Sequence, residues 1–550
     1  MIVRHKPCLV LTLLLFLFGA SAGAAHAKQG AWISPAKTIA GTGKQSLESA
    51  QVAVDDDRTA IAVWLLNDPG QSPEYEDDTS LVMAAIRPPN GKFGRPFALT
   101  GKEHQLSNLK LVSGRGSTTV LWQRSGDGSI YARTRPSGGK FEPADQLADN
   151  ALGEISLAMG RDGTTAVAWI QSRPMQPDVV QVSVRPWGSQ FSEPIDLPSG
   201  PSSWASDPAI AVDHLSQITV AWRGDGIFVF DLPTDGSPEP PRKLTGSDQG
   251  YHPEVGIGPG GSTTVAWVRS TGSGRSLYTS TRPAEGEFPP PVRRAQSASL
   301  EGFDMAVAGD GRVTLLWYFN NREGDPDYGY FDFSYTRMVS WAPGSDPVTK
   351  RLGRVWGSDQ GGGSLAGSVD GSTTLVWSNS FGRDSVGLMS STWTPEGTLT
   401  EPVLIDDDQP WSTSLAAGPD GNVVAVWGSF TSDGTLIRTA STVPAYCGRS
   451  SMKLGRVIRS SRSGTARVTV NLGSRGKVST LASPWITPTT TRASKAGRYT
   501  VRIVPRGPAR RLLGRTGWAE VKVGFRFDPA AVPCQNVVLG KEVVLIRKRR

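Results

Sequence analysis

The sequence predicts an all-β chain built from a repeated four-stranded unit, and three observations carry that expectation. A Gly turn followed by a β-branched run ending in tryptophan recurs along most of the chain, as in VDGSTTLVW, RDGTTAVAW and PDGNVVAVW. Gly (63) and Pro (40) are abundant in 550 residues, which favours short strands and turns over long helices. The last hundred residues change to strict alternation of apolar and polar positions.

At the N-terminus, MIVRHKP is charged, CLVLTLLLFLFGA is an apolar run too short for a comfortable bilayer span, and Ala25-His26-Ala27 has the small-x-small form of a cleavage site. Residues 1–27 therefore read as a signal peptide, and the mature chain is expected to be secreted or cell-surface. No later segment is apolar enough to span a bilayer.

Aligned without gaps, the repeat gives eight copies ending at Trp64, Trp122, Trp169, Trp222, Trp267, Trp317, Trp377 and Trp427. Their spacings of 45 to 60 residues fit one four-stranded propeller blade each. Six positions before the Trp stands Gly116, Gly163, Gly261, Gly311, Gly371 or Gly421, supplying the positive φ of a tight hairpin. Eleven positions before it, seven of the eight copies hold Ala or Gly, small enough for the crowded inner strand of a blade. The tryptophans are expected to be sheet-to-sheet core, since an aromatic in every repeat is a packing feature. Downstream, an aromatic or apolar residue and then Pro mark an outer edge strand, as from Phe93 to Pro96 and from Phe288 to Pro291. The eighth copy lacks this strand, and Trp32-Ile-Ser-Pro35 precedes the first. Handing residues 31–40 to the last unit gives an eight-bladed β-propeller over residues 28–447, closed by an N-terminal strand; seven blades with an irregular insertion is the alternative.

Residues 448–550 then read as a basic domain: KLGRVI, ARVTVNL, GKVSTL, GRYTVRIV, EVKVGFRF and KEVVLIRK are strands, with PARRLLGRTG as a short helical turn. An immunoglobulin-like β-sandwich is expected. The domain holds 23 Lys or Arg against Glu520, Asp528 and Glu542, whereas residues 28–447 are net acidic. So concentrated a positive charge should attract anionic polymers or surfaces; in an exported chain these are envelope polymers, acidic glycans or lipid head groups rather than nucleic acid, and a face docked on the acidic repeats is the competing explanation. Cys447 and Cys534 bracket the domain and would form a disulfide in an oxidising compartment.

The chemistry is sparse. Zinc-hydrolase, CxxC, phosphate-loop and nucleophile-elbow patterns are missing, and Gly256-Ile-Gly-Pro-Gly-Gly261 belongs to a strand and hairpin turn rather than to a helix start. Asp325, Asp327 and Asp332 flank Gly329 in an insertion and make the best cluster of hard oxygens, for which calcium is the expected cation; solvated acidic loops are the ordinary alternative. Loops at the end of each blade opposite the Asp-Gly turns carry the variable aromatic and polar residues: Trp204, Asp248, Gln249, Tyr251, His252, Trp356, Asp359, Gln360 and Trp411. Flat rings beside amide and carboxylate groups suit sugar hydroxyls.

At the level of the repeat, residues 31–440 resemble secreted bacterial β-propeller repeat proteins of the sialidase-like type. The stretch RYTVRIVPRGPARRLLGRTGWAEVKVGFRF is similar to basic C-terminal modules of exported actinobacterial proteins. Ser368-Val-Asp370-Gly371 departs from the sialidase Asp box by lacking the residue between Asp and Gly. An arginine triad and nucleophilic tyrosine are not identifiable. Without these residues the expectation is a monomeric, non-catalytic binding or scaffold protein that recognises an extracellular glycan or protein, its basic tail associating with anionic envelope material. The alternative is a glycan-cleaving enzyme.

Overall fold

The structure is a computed structural model. It describes Trp32 and residues 36–42, 45–68, 78–89, 91–198, 204–213, 216–232, 240–246, 250–272, 274–284, 286–325, 329–356, 362–380, 386–431, 434–442, 452–473, 475–480, 483, 485–529 and 537–548. Cys447 and Cys534 lie outside these residues. The chain divides into two compact units, one built on residues 28–449 and the other on residues 450–529 and 536–550.

Repeated antiparallel sheets make up the first unit; eight are found among the described residues, seven of them four-stranded and the first carrying a short fifth strand, Glu103–His104, beside Thr79–Arg87. Their leading strands are Ser46–Val54, Leu106–Gly114, Ala151–Met159, Ser206–Val212, Gly250–Ile257, Leu300–Val307, Gly363–Gly367 and Gln409–Ala417. In each sheet the second strand carries the repeat tryptophan and pairs with the leading strand across a tight turn, which holds Gly in six copies. In each of the first seven sheets a proline stands one or two residues before the fourth strand, as Pro96 does before Phe97–Ala98 and Pro347 before Val348–Trp356. The missing amide there faces no ladder partner. In the eighth sheet the fourth strand is Lys37–Thr42, paired antiparallel with Gly434–Ser441, while Trp32 bridges to Thr442.

All eight repeat tryptophans are buried, with at most 4% of their surface exposed. Each stands in a different cluster shared by two consecutive sheets. Trp122 packs with Ile61, Val63 and Val82 of the first sheet, Trp169 with Leu121 and Ile130 of the second, and Trp427 with Val376 and Leu388 of the seventh. Trp64 of the first sheet packs with Val424, Val426 and Ile437 of the eighth. Burying one such side chain removes about 150–250 Å² from water, which is why a sheet that would be unstable alone is stable between two neighbours.

A second link runs along the leading strands, two positions before the small-residue column. There Ser156 Oγ accepts from the Ile210 amide (3.1 Å), Asp304 Oδ2 from the Leu365 amide (2.9 Å) and Ser414 Oγ from the Val52 amide (3.1 Å). Each bond joins one sheet to the next and satisfies an amide that its own ladder leaves free.

The six turn glycines all have positive φ, from 71° to 89°. In the four copies where Asp precedes this Gly, it accepts the amide two residues on, as Asp370 does from Ser372 (3.0 Å) and Asp420 from Asn422 (3.2 Å), an Asx turn that explains the Asp-Gly pair. In the two copies without Gly the same position is held by Arg58 (φ 71°) and Ser216 (φ 65°), side chains forced into the left-handed region.

The second unit contains two four-stranded antiparallel sheets. One runs in the order Met452–Ser460, Thr465–Leu472, Gly497–Pro505, Ile486–Thr487, and the other Thr490–Ala493, Gly476–Thr480, Trp518–Pro529, Val537–Ile546. All six strand segments expected from the alternation fall on these strands. Between the two long strands lies the helix Gly507–Thr516, opened by Pro508 and closed by Gly517 in the left-handed conformation. Val468, Val501, Phe525, Phe527, Leu545 and the helix residue Leu513 share its core.

Trp169→Ala should lower stability by about 3–5 kcal/mol. Gly421→Ala should cost about 1 kcal/mol and Arg58→Gly should recover about 0.5–1 kcal/mol, all read by chemical denaturation. An Arg58→Gly protein that melts no higher than the parent would show that the left-handed turn carries no strain.

Candidate binding face

The end of the sheets opposite the Asp-Gly turns is shaped by a recurrent β-bulge near the start of the leading strand. Register shifts fall between Glu48 and Gln51, Ser107 and Lys110, Ser206 and Ala209, Tyr251 and Glu254, and Trp411 and Ser414. The bulge residues Ser49, Asn108, Asp207, His252 and Ser412 have φ between 46° and 52°. A bulge places two residues opposite one and turns side chains away from the alternating pattern, so this end presents polar groups that a regular strand would bury or splay.

Two groups of residues meet there. In the first, the Arg223 guanidinium at the end of Ile218–Arg223 lies between two rings, 5.1 Å from the centroid of Trp204 and 5.5 Å from that of Tyr251. Asp207 is 3.9 Å from its Nη1, and His252 stands edge-on to Tyr251 at 6.2 Å. Trp204 keeps 37% of its surface exposed, and His252 is exposed. Three of the aromatic residues singled out in the sequence are thus brought together, around an arginine that was not. Arg223 follows a repeat tryptophan directly and carries no sign in the sequence of its different surroundings.

The second is a cavity of about 580 Å³ formed by the sixth, seventh and eighth sheets, its walls including Phe303, Asp304, Tyr318, Gln409, Trp411 and Ser412. Trp411 is half-buried and packs against Phe430 with centroids 5.6 Å apart. It lies over Gly428, where a Cβ would come within 2.2 Å of the ring, so this glycine makes the room for the indole. Asp304 opens on the cavity while its Oδ2 is held by the Leu365 amide. Burial pushes its carboxyl up to about 6, although the amides of Leu365 and Met305 and the Ser364 hydroxyl oppose the rise. Glu254, in the same column of the fifth sheet, is raised well above the ordinary range, first by burial and then by the charge of Asp304, with Lys110 acting in the opposite direction. The sequence did offer a signal: this column holds Ser in three copies, and an acid there breaks the pattern.

The remaining predicted residues fare differently. Asp248, Gln249, Asp359 and Gln360 lie outside the described residues, and Trp356 is described only as the last residue of Val348–Trp356. The expected acidic loop around Gly329 is a long hairpin instead, with Val313–Asp325 laddered against Gly329–Trp341. In that ladder Asp325 stands opposite Gly329 and Asp332 opposite Arg322. Asp327 lies outside the described residues. Among the described residues no group of three His, Cys, Asp or Glu could hold a metal ion. No helix among them is long and apolar enough to cross a membrane.

Among solved structures the chain is similar to an ulvan lyase, a polysaccharide lyase bound to -[GlcA(1-4)Rha3S]- (13% identity, 60% of this chain and 90% of that one, TM-score 0.39). It is also similar to an α-L-arabinofuranosidase from Fusarium graminearum in complex with an iminosugar inhibitor (14%, 54% and 93%, TM-score 0.33). A third similar structure is the WD40 domain of SCAP from fission yeast (9%, 74% and 99%, TM-score 0.39). No residue role is carried across from these structures. No protein-family model and no curated protein matches the chain.

The raised carboxyl of Asp304 has a signed consequence. Its folded form binds a proton more tightly than the unfolded chain does, so its contribution to stability is most favourable below about pH 4 and is lost as pH rises through about 6. Asp304→Asn keeps an acceptor for the Leu365 amide and removes the titration. The melting temperature of the variant relative to the parent should therefore rise between pH 4 and pH 6–7 and then level off; a difference that stays flat with pH would contradict the assignment.

Proposed function

We propose that this chain is an exported, non-catalytic binding protein. In this reading its eight sheets are the blades of a ring, latched by Lys37–Thr42 in the last blade, and the bulged end recognises an extracellular glycan. The second unit, read as an immunoglobulin-like sandwich with Cys447 and Cys534 paired, associates with anionic envelope material.

The observation that carries the glycan reading is the pairing of aromatic faces with fixed polar groups. Trp411 stands beside Gln409, Ser412 and Asp304 in a cavity large enough for one or two sugar rings, and Trp204 is held on the Arg223 guanidinium. Sugars combine apolar C–H faces with hydroxyls, and such surfaces meet both demands without large conformational change. A second reading, a glycan-cleaving enzyme, is favoured by Asp304, because a carboxyl pushed up to about 6 in a cavity wall can hold a proton that a leaving oxygen needs.

A glycan array probed with the full chain, followed by calorimetry on the strongest ligand, tests the proposal. Trp411→Ala should weaken binding by about 1–3 kcal/mol of interaction, roughly 5- to 150-fold, by analogy with other buried aromatic anchors. Unchanged affinity in both Trp411→Ala and Trp204→Ala would reject this face as the site. New reducing or unsaturated ends formed on incubation, and abolished by Asp304→Asn, would favour the enzyme instead.

A further inference from the structure

The charge of the second unit is divided between its sheets. Residues 448–519 contain 16 Lys or Arg and no Asp or Glu. All three carboxylates of the C-terminal segment stand on Trp518–Pro529 and Val537–Ile546, neighbouring strands of one sheet. The other sheet, of Met452–Ser460, Thr465–Leu472, Gly497–Pro505 and Ile486–Thr487, has none.

On that sheet Arg467 is directly opposite Arg502 in the ladder. Both are exposed, whereas their neighbours Val468 and Val501 are buried, so the two guanidinium groups leave the same face. Arg498 stands on the same face four residues from Arg502, its Nε within 3.4 Å of Asn471 Oδ1. Like charges directly opposite on a sheet are about 5 Å apart at their Cβ atoms and destabilise the pair. The other opposed basic pair, Lys477 and Arg492, differs because Asp528 stands across the next strand from Lys477.

We infer that the carboxylate-free sheet is a binding face for a linear polymer bearing sulfate or phosphate ester groups, with Arg467 and Arg502 closing on one such group and Arg498 on another. A carboxylate offers two oxygens, which a single arginine fork saturates, whereas a tetrahedral ester offers three terminal oxygens that two forks can share. Arg498 and Arg502 are separated by about 13 Å along the strand, a distance that asks for a chain of anions rather than one small ion. The four strands place no aromatic ring on this face, Tyr499 packing against the core, so the stacking that single-stranded nucleic acid requires is missing. The inference narrows the reading of the tail given above and rests on it.

The test uses the full chain with dextran sulfate, polyglutamate of matched charge and phosphatidylserine vesicles, at about 50 mM salt, where such contacts are not screened out. Dextran sulfate should bind more tightly than polyglutamate. Arg467→Gln/Arg502→Gln should weaken that binding about tenfold or more with no loss of melting temperature, while Lys477→Gln/Arg492→Gln, which removes the same charge from the other sheet, should change it less than about threefold. Equal binding of both polymers, or equal loss in the two double variants, overturns the inference but leaves a basic tail that holds anions. Binding to none of the three overturns both readings, and binding confined to the vesicles overturns the inference by assigning the face to a membrane.

Discussion

Each four-stranded sheet of the first unit has two apolar faces and cannot hide either by itself. The repeat tryptophan answers that constraint, because every copy is buried in a cluster shared with the preceding sheet, and Trp64 in one shared with the last. The other features follow from the need to bring leading strands close together. Small residues occupy the column where those strands approach, and side-chain oxygens in the column two positions earlier reach the amides of the next sheet. The positive-φ turn then fixes the register that delivers the tryptophan to its cluster.

The same constraint locates the variable chemistry. Residues that hold one sheet to the next are not free to change, so the groups that differ among copies collect where the strands begin, at the bulges. Asp304 shows how the two demands meet. It occupies a linking column, bonded to the Leu365 amide, and also faces a cavity that Trp411 and Tyr318 help to enclose. Replacing the serine found in other copies with an acid places a titratable group where water is scarce, and its pKa rises accordingly.

Much of this architecture could be read from the residues, because packing that repeats leaves a periodic trace. The eight tryptophans, the six glycines and the proline before the outer strands each mark a backbone or burial requirement met in nearly every copy. The binding face was legible only in part. Trp204, Tyr251 and Trp411 stood out as aromatics at variable positions, whereas Asp304 shows in the sequence only as an acid in a column that holds Ser in three copies, and Arg223 follows a repeat tryptophan with no sign of what faces it. The bulges have no side-chain signature at all, since a two-against-one pairing is a property of two strands together. The acids around Gly329 read in the sequence as a loop, whereas the backbone continues there as a ladder in which Asp325 and Asp332 are strand residues.

One pairing also sets a clock. Lys37–Thr42 lies beside Gly434–Ser441, a partner roughly 390 residues further along the chain. At ordinary rates of synthesis of about 5–20 residues per second, the earlier segment waits on the order of 20–80 s before its neighbour exists. During that interval the seven sheets between them can form in sequence, but Lys37–Thr42 has no ladder partner, and any foreign strand edge that reaches it first competes for the place. A nascent chain of this kind has reason to remain guarded until its two distant ends meet.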